Sequence, residues 1–221
     1  MNLKKYARIA TILTGIFLYD STPVNIEGAI IPKPSKLEIL IKENKNSTKK
    51  TELCEWNIKT QRLLETKKEP KYFSKEEIAT CVAYTCKGRK LPKPISPKYI
   101  CAKALVESGG NIFAESEDGA RGLMQITEPT WLELSEKPFS KANDPLENLK
   151  VAVDYLIKLN EFCEENYLGW RDLSTRVKQE LISAAYNGGP SRLKYRKWEI
   201  ERMPDETRNY VKKMGKTMAK L

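Results

Sequence analysis

One carboxylate stands where an apolar helical run meets a pair of glycines, in Ala104-Leu105-Val106-Glu107-Ser108-Gly109-Gly110-Asn111. A glutamate in the last turn of a helix faces the negative end of the macrodipole and terminal carbonyls that lack partners, so its anion is disfavoured. Desolvation in a cleft would raise its pKa further, which suits a general acid that gives a proton to a leaving oxygen near neutral pH. A solvated glutamate at a helix end meets the same pattern, so Glu107 gains meaning only from its surroundings. Composition removes other chemistries. The 221 residues include no histidine, which excludes Ser-His-Asp and Cys-His catalysis and the His-containing zinc sites. The five cysteines, Cys54, Cys81, Cys86, Cys101 and Cys163, show no CxxC spacing, so no metal centre is expected. Their odd number leaves at least one thiol unpaired. The others read either as core thiols or, in an exported protein, as bridged ones.

Glu107 needs a helix to carry it and others to wall it in. Ser96 as N-cap and Pro97 at the first helical position open an apolar-periodic run that reaches Val106, and Gly109-Gly110 stop it. Upstream, Ser74-Lys75-Glu76-Glu77 has the capping-box form and begins a helix through Ile78, Val82 and Thr85, so the main domain is placed at residues 74 to 221. Downstream, residues 111 to 121 are polar and glycine-containing, which predicts a loop. Thr127 caps a short helix through Trp131. The longest run begins at Asp144-Pro145 and carries Leu149, Val153, Leu156, Ile157, Asn160 and Phe162 on or near one face. Another extends from about Ser174 to Tyr186 and stops at Asn187-Gly188-Gly189-Pro190, and a last one spans about Asp205 to Ala219. Strand signals are scarce, so the fold class is mainly α.

The N-terminal third is different in kind. Lys4, Lys5 and Arg8 precede an apolar run from Ile9 to Tyr19, too short for a comfortable membrane span. Residues 1 to 19 therefore read as a targeting segment, with a cleaved signal peptide and a retained membrane anchor through residues 9 to 19 both open, and an ordinary buried helix as the third reading. Residues 20 to 73 read as a basic linker or extension with one or two short helices, one of them around Leu53 to Leu64. Of the net charge of +10, residues 1 to 73 hold 14 basic and 8 acidic side chains, hence +6. That balance suits an anionic partner such as a cell-wall polymer, and equally a lysine-rich solvated surface. No nucleic-acid fingerprint accompanies it, so nucleic acid is not an expected partner.

Four segments in order carry a resemblance: Glu107-Ser108, Gly119-Ala120-Arg121-Gly122-Leu123-Met124-Gln125, Ala184-Ala185-Tyr186-Asn187-Gly188-Gly189-Pro190, and Glu206-Thr207-Arg208-Asn209-Tyr210-Val211. Together they resemble the catalytic domain of the soluble lytic transglycosylases, which is similar in fold to goose-type lysozyme. The resemblance covers roughly Ser74 to Leu221. It implies a lysozyme-like helical domain with a glycan-binding cleft, acting without a cofactor on the glycan strands of peptidoglycan. It also implies cleavage between N-acetylmuramic acid and N-acetylglucosamine to give 1,6-anhydromuramoyl ends, with Glu107 as the single catalytic acid and base. Ser116, Gln125, Tyr186, Asn187, Glu206 and Tyr210 take the substrate-binding positions. An exported bacterial protein of the periplasm or cell envelope follows, with envelope or secretion-machinery proteins as further partners. Two other readings stand beside it. A hydrolytic muramidase would need a second group to activate water, for which Glu115, Glu117 and Asp118 are available. A catalytically weak peptidoglycan-binding module would need none.

Overall fold

The computed structural model describes residues 72–221 and one antiparallel pair of two-residue strands, β1 (Asn25–Ile26) and β2 (Ala29–Ile30), with Asn25 opposite Ile30 and Ile26 opposite Ala29. That pair falls in the stretch read as a linker. It belongs to the unit Met1–Lys59, and the helices belong to Thr60–Leu221. The targeting segment, the helix around Leu53 to Leu64 and Cys54 lie outside the described residues.

Local signals act where the sequence puts them. Helix α1 (Lys75–Cys86) begins with the complete capping box: the Ser74 side chain accepts from the Glu77 amide, and the Glu77 carboxylate accepts from the Ser74 amide. Helix α2 (Pro97–Ser108) starts at Ser96, whose hydroxyl accepts from the Tyr99 amide, and ends at Gly109 in the left-handed conformation. The short helix α3 (Glu128–Leu134) does start after Thr127. Its hydroxyl, however, pairs with Thr130 Oγ1 at 3.1 Å rather than with a backbone amide, so Thr127 stops the chain without a side-chain cap.

Helix α4 (Pro145–Asn166) is the scaffold. Asp144 caps it through the amides of Leu146 and Glu147, and Leu149, Val153 and Leu156 are fully buried along one stripe. Each such burial stabilises the fold by about 1.5–3 kcal/mol. Against α4 pack α1, α3, helix α5 (Thr175–Gly188) and the short helix α6 (Pro190–Tyr195). Helix α7 (Asp205–Lys220) lies across α2 and α5, so α2 is held between α1 and α7. Short 3₁₀ turns at Phe139–Asn143, Trp170–Asp172 and Ile200–Arg202 make the connections.

At Gly188, α5 passes close to Thr207 of α7 and to Met203 just before it. A β-carbon there would fall 2.4 Å from Met203 Cε and 2.7 Å from Thr207 Oγ1. The glycine pair therefore does more than end a helix. α5 runs through Gly188, and Gly189 turns the chain directly into α6, with Pro190 at its first position.

Cys81, Cys86, Cys101 and Cys163 are free thiols. Burial pushes the Cys81 and Cys163 thiols up to about 12 and the Cys101 thiol to about 11, so they behave as inert apolar groups.

Candidate active site

Helix α2 delivers Glu107 from its last turn, half-buried and within reach of solvent. Ser108, the next residue, finishes the turn: its hydroxyl donates to the Ala104 carbonyl and accepts from the Gly110 amide. Across the helix interface, the Tyr210 hydroxyl on α7 donates a short hydrogen bond to Glu107 Oε1. Tyr210 in turn accepts from the Lys103 ammonium at 2.7 Å. Lys103 sits one turn before Glu107 and is fully buried. Its ammonium lies 3.9 Å from the Tyr186 ring centre, 4.8 Å from that of Tyr210 and 5.6 Å from that of Tyr99. Three electron-rich ring faces thus replace part of the hydration that burial removes.

The electrostatics follow from that packing. Burial pushes the Glu107 carboxyl up, and the Lys103 ammonium, the Tyr210 hydrogen bond and the more distant Lys213 pull it part of the way back. Burial brings Lys103 down to about 7, against a smaller upward pull from Glu107. Tyr186 and Tyr210 are held well above the ordinary phenol value, first by burial and then by Glu107. Both phenols therefore stay neutral, and Tyr210 serves as the donor to the carboxylate.

A second layer holds the Gly-Leu-Met-Gln block, residues 122 to 125. Fully buried Asn148 of α4 accepts from the Met124 amide at 2.7 Å and donates to the carbonyls of Arg121 at 3.0 Å and Ala142 at 2.8 Å. Gly122 has φ 81°, and a β-carbon there would strike Ala142 O at 2.2 Å and Asn148 Nδ2 at 2.5 Å, so only glycine fits. The Tyr186 hydroxyl donates to the Met124 carbonyl at 2.7 Å, which ties this block to the tyrosine cage around Lys103. Gln125 adopts a left-handed backbone (φ 49°) and spends its amide nitrogen on the carbonyls of Ala114 and Gly122, both at 3.0 Å.

The other sequence-predicted positions are spread more widely. Ser116 shapes a turn, its hydroxyl accepting from the Ala120 amide at 3.0 Å. Asn187 donates to exposed Glu206 at 3.4 Å, one turn before Tyr210 on α7, while its own side-chain oxygen is buried without a partner. Tyr210 is thus the residue joined directly to Glu107; Tyr186 and Gln125 connect through Lys103 and Met124, and Asn187 and Glu206 form a separate pair. Of the three acids offered as a second group, Glu115 is held by the Arg121 guanidinium at 2.8 and 3.0 Å. Glu117 and Asp118 are exposed. Sequence reasoning missed Lys103 and Asn148. A signal existed for the first: a lone lysine four residues before Glu107 in an otherwise apolar run.

Two sizeable cavities lie elsewhere and do not include Glu107. One of about 820 Å³ runs between α5 and α7, with Val211, Met214 and Met218 among its lining; another of about 610 Å³ is formed by residues 164 to 172. Among the described residues no cluster of acids and cysteines is arranged to hold a metal ion, and no helix is long and apolar enough to cross a membrane.

No curated protein matches the chain. Among solved structures, it is similar to an inactive mutant of the lytic transglycosylase Slt from Pseudomonas aeruginosa, with 24% identity and a TM-score of 0.46 over 62% of this chain and 22% of that one. It is also similar to the 70 kDa soluble lytic transglycosylase of Escherichia coli, with 22% identity and a TM-score of 0.49 over 81% of this chain and 31% of that one. The chain spans less than a third of the length of either. The family model described as the transglycosylase SLT domain matches residues 86–211, a stretch that contains Glu107, the Gly-Leu-Met-Gln block, Tyr186 and Tyr210. That match takes in more than half of the 221 residues, and the chain belongs to the transglycosylase SLT domain family.

Proposed function

We propose that this chain is a peptidoglycan lytic transglycosylase, built on a lysozyme-like helical domain, with Glu107 as its single acid and base. One observation carries the reading: a helix-end carboxyl that burial pushes up, fixed by a neutral tyrosine, in a family whose name denotes transglycosylation. Protonated Glu107 gives its proton to the oxygen that links N-acetylmuramic acid to N-acetylglucosamine, and the bond from C1 to that oxygen breaks. The substrate's own N-acetyl carbonyl oxygen bonds to C1 as the leaving sugar departs. Glu107, now ionised, takes the proton of the C6 hydroxyl, and O6 displaces the acetyl oxygen at C1. The product is a 1,6-anhydro ring, the acid is restored and no water is consumed. An internal hydroxyl held near C1 outcompetes bulk water because its encounter cost is already met.

Gln125 meets the substrate through its side-chain oxygen, since its nitrogen is engaged in the loop. Ser116, Tyr186, Asn187, Glu206 and Tyr210 line the path of the glycan strand, and the protein is exported to the cell envelope, where its substrate lies. Within this scheme turnover falls as pH rises through the raised Glu107 pKa, because the acid form is lost.

Reaction in ¹⁸O-labelled water separates this reading from hydrolysis. A transglycosylase leaves the new muramoyl ends unlabelled because O6 comes from the sugar. A muramidase places ¹⁸O at C1, and labelled ends would transfer the search to Glu117 and Asp118. A chain that binds peptidoglycan and releases nothing would be the binding module instead.

A further inference from the structure

Lys103 is a residue that the catalytic scheme does not use. A lysine with no exposed surface is costly, and an apolar side chain of similar length would fill the same space without desolvating a charge. Its ammonium nevertheless has a specific setting. It donates to the Tyr210 hydroxyl at 2.7 Å, and that hydroxyl donates onward to Glu107 Oε1. Tyr99, Tyr186 and Tyr210 surround it with ring faces, and Tyr99 is itself locked by its hydroxyl contact with Ser183 at 2.8 Å.

We propose that Lys103 is a positioning residue for Glu107: through Tyr210 it fixes the carboxylate oxygen in place and supplies the positive charge against which Glu107 ionises. The inference rests on the reading of Glu107 as the acid. A half-buried carboxylic acid that gives up its proton leaves a poorly hydrated anion, which is disfavoured unless a nearby charge offsets it. The Lys103 charge, relayed through a polarised hydroxyl, offsets this cost at the moment the proton leaves, which is when it assists the reaction. The surrounding titratable groups leave this task to few candidates. Tyr99 on α2, Tyr186 on α5 and Tyr210 on α7 are neutral phenols; Tyr155 and Cys163 on α4 act on Tyr186 and Tyr99, not on Glu107 directly. The other cation that pulls on Glu107 is Lys213, and its ammonium is engaged by the Val106 carbonyl at 3.0 Å.

The test is a carboxyl ¹³C titration of the full chain labelled at glutamate Cδ, with Glu107 assigned by the resonance missing in Glu107→Gln. Wild type is compared with Lys103→Met and with Lys103→Gln, which keeps a hydrogen-bond donor but not the charge. The Glu107 midpoint is expected to move up in both variants, and kcat on peptidoglycan to fall roughly tenfold with KM little changed, within the range that a misplaced catalytic group costs. An unmoved midpoint overturns the proposal whatever the activity, because the titration needs no turnover. If neither variant folds, wild type decides alone. A coupled pair shows the Glu107 resonance responding in two steps, the second with Lys103, whereas a single step overturns the coupling. A moved midpoint combined with full turnover by Glu107→Gln would instead sink the reading of Glu107 as the acid, and the catalytic meaning of Lys103 with it.

Discussion

Glu107→Gln is expected to lower turnover of peptidoglycan by about a thousandfold, in the middle of the range that a general acid and base contributes. The substitution keeps the size of the side chain, and its amide oxygen still accepts from the Tyr210 hydroxyl. Folding should therefore be nearly untouched. A change in melting temperature beyond about 2–4 °C, equivalent to about 1 kcal/mol for a chain of this size, is not expected. The glutamine cannot supply a proton at any accessible pH, so no pH should restore the rate. Turnover within tenfold of wild type would mean that the proton comes from elsewhere. Glu206 would then be the first residue to examine, since it lies one turn before Tyr210 on α7 and accepts from Asn187 at the end of α5.

The largest effect on stability should come from a residue without chemistry. Asn148→Leu is expected to cost about 3–5 kcal/mol, because it leaves the Met124 amide and the Ala142 carbonyl buried without a partner, while the Arg121 carbonyl keeps the Ile126 amide. Leucine keeps the branched outline and carries no polar group, but its methyl groups are bulkier, so the loss combines unmet backbone groups with some overpacking. Activity should fall along with stability. The Met124 carbonyl is also the acceptor of the Tyr186 hydroxyl, and a loosened block frees one wall of the tyrosine cage around Lys103. Denaturant unfolding is the measurement. A loss below about 1 kcal/mol would mean that water takes over these groups and that the clamp is dispensable.

Features written in neighbouring residues were legible in the sequence, and features made across the fold were not. Ser74 with Glu77, Ser96 with Pro97 and Asp144 with Pro145 act within a few residues of themselves, and each starts its helix as the pattern predicts. The end of α2 at Gly109, and with it the position of Glu107, is equally local. Thr127 shows the limit even at that range, since its hydroxyl had a competing partner in Thr130. Short elements such as α6 and the 3₁₀ turn at Phe139–Asn143 have too few residues for periodicity to mark them.

The site divides along the same line. Glu107, Tyr186 and Tyr210 stood in motifs, but the bond from Tyr210 to Glu107 joins residues 103 apart in sequence. Ser116 was expected against the substrate, and the bond its hydroxyl accepts from the Ala120 amide within its own turn was not foreseen. Gln125 likewise gives its amide nitrogen to two carbonyls of its own loop. Lys103 lacked a motif, and its place four residues before Glu107 in an apolar run was the one trace it left in the sequence; its ring-lined setting is made only where α2, α5 and α7 meet. Asn148 was hidden for the opposite reason. An asparagine on a core stripe reads as an interruption until the backbone groups it serves are in view.

The central claim is that Glu107 cleaves peptidoglycan by proton transfer with ring closure inside the substrate. Mass spectrometry of the muropeptides released from purified peptidoglycan by the full chain, wild type beside Glu107→Gln, tests it most directly. The account predicts 1,6-anhydromuramoyl ends from wild type and none from the variant. Reducing ends from wild type, or anhydro ends from both proteins, would contradict it.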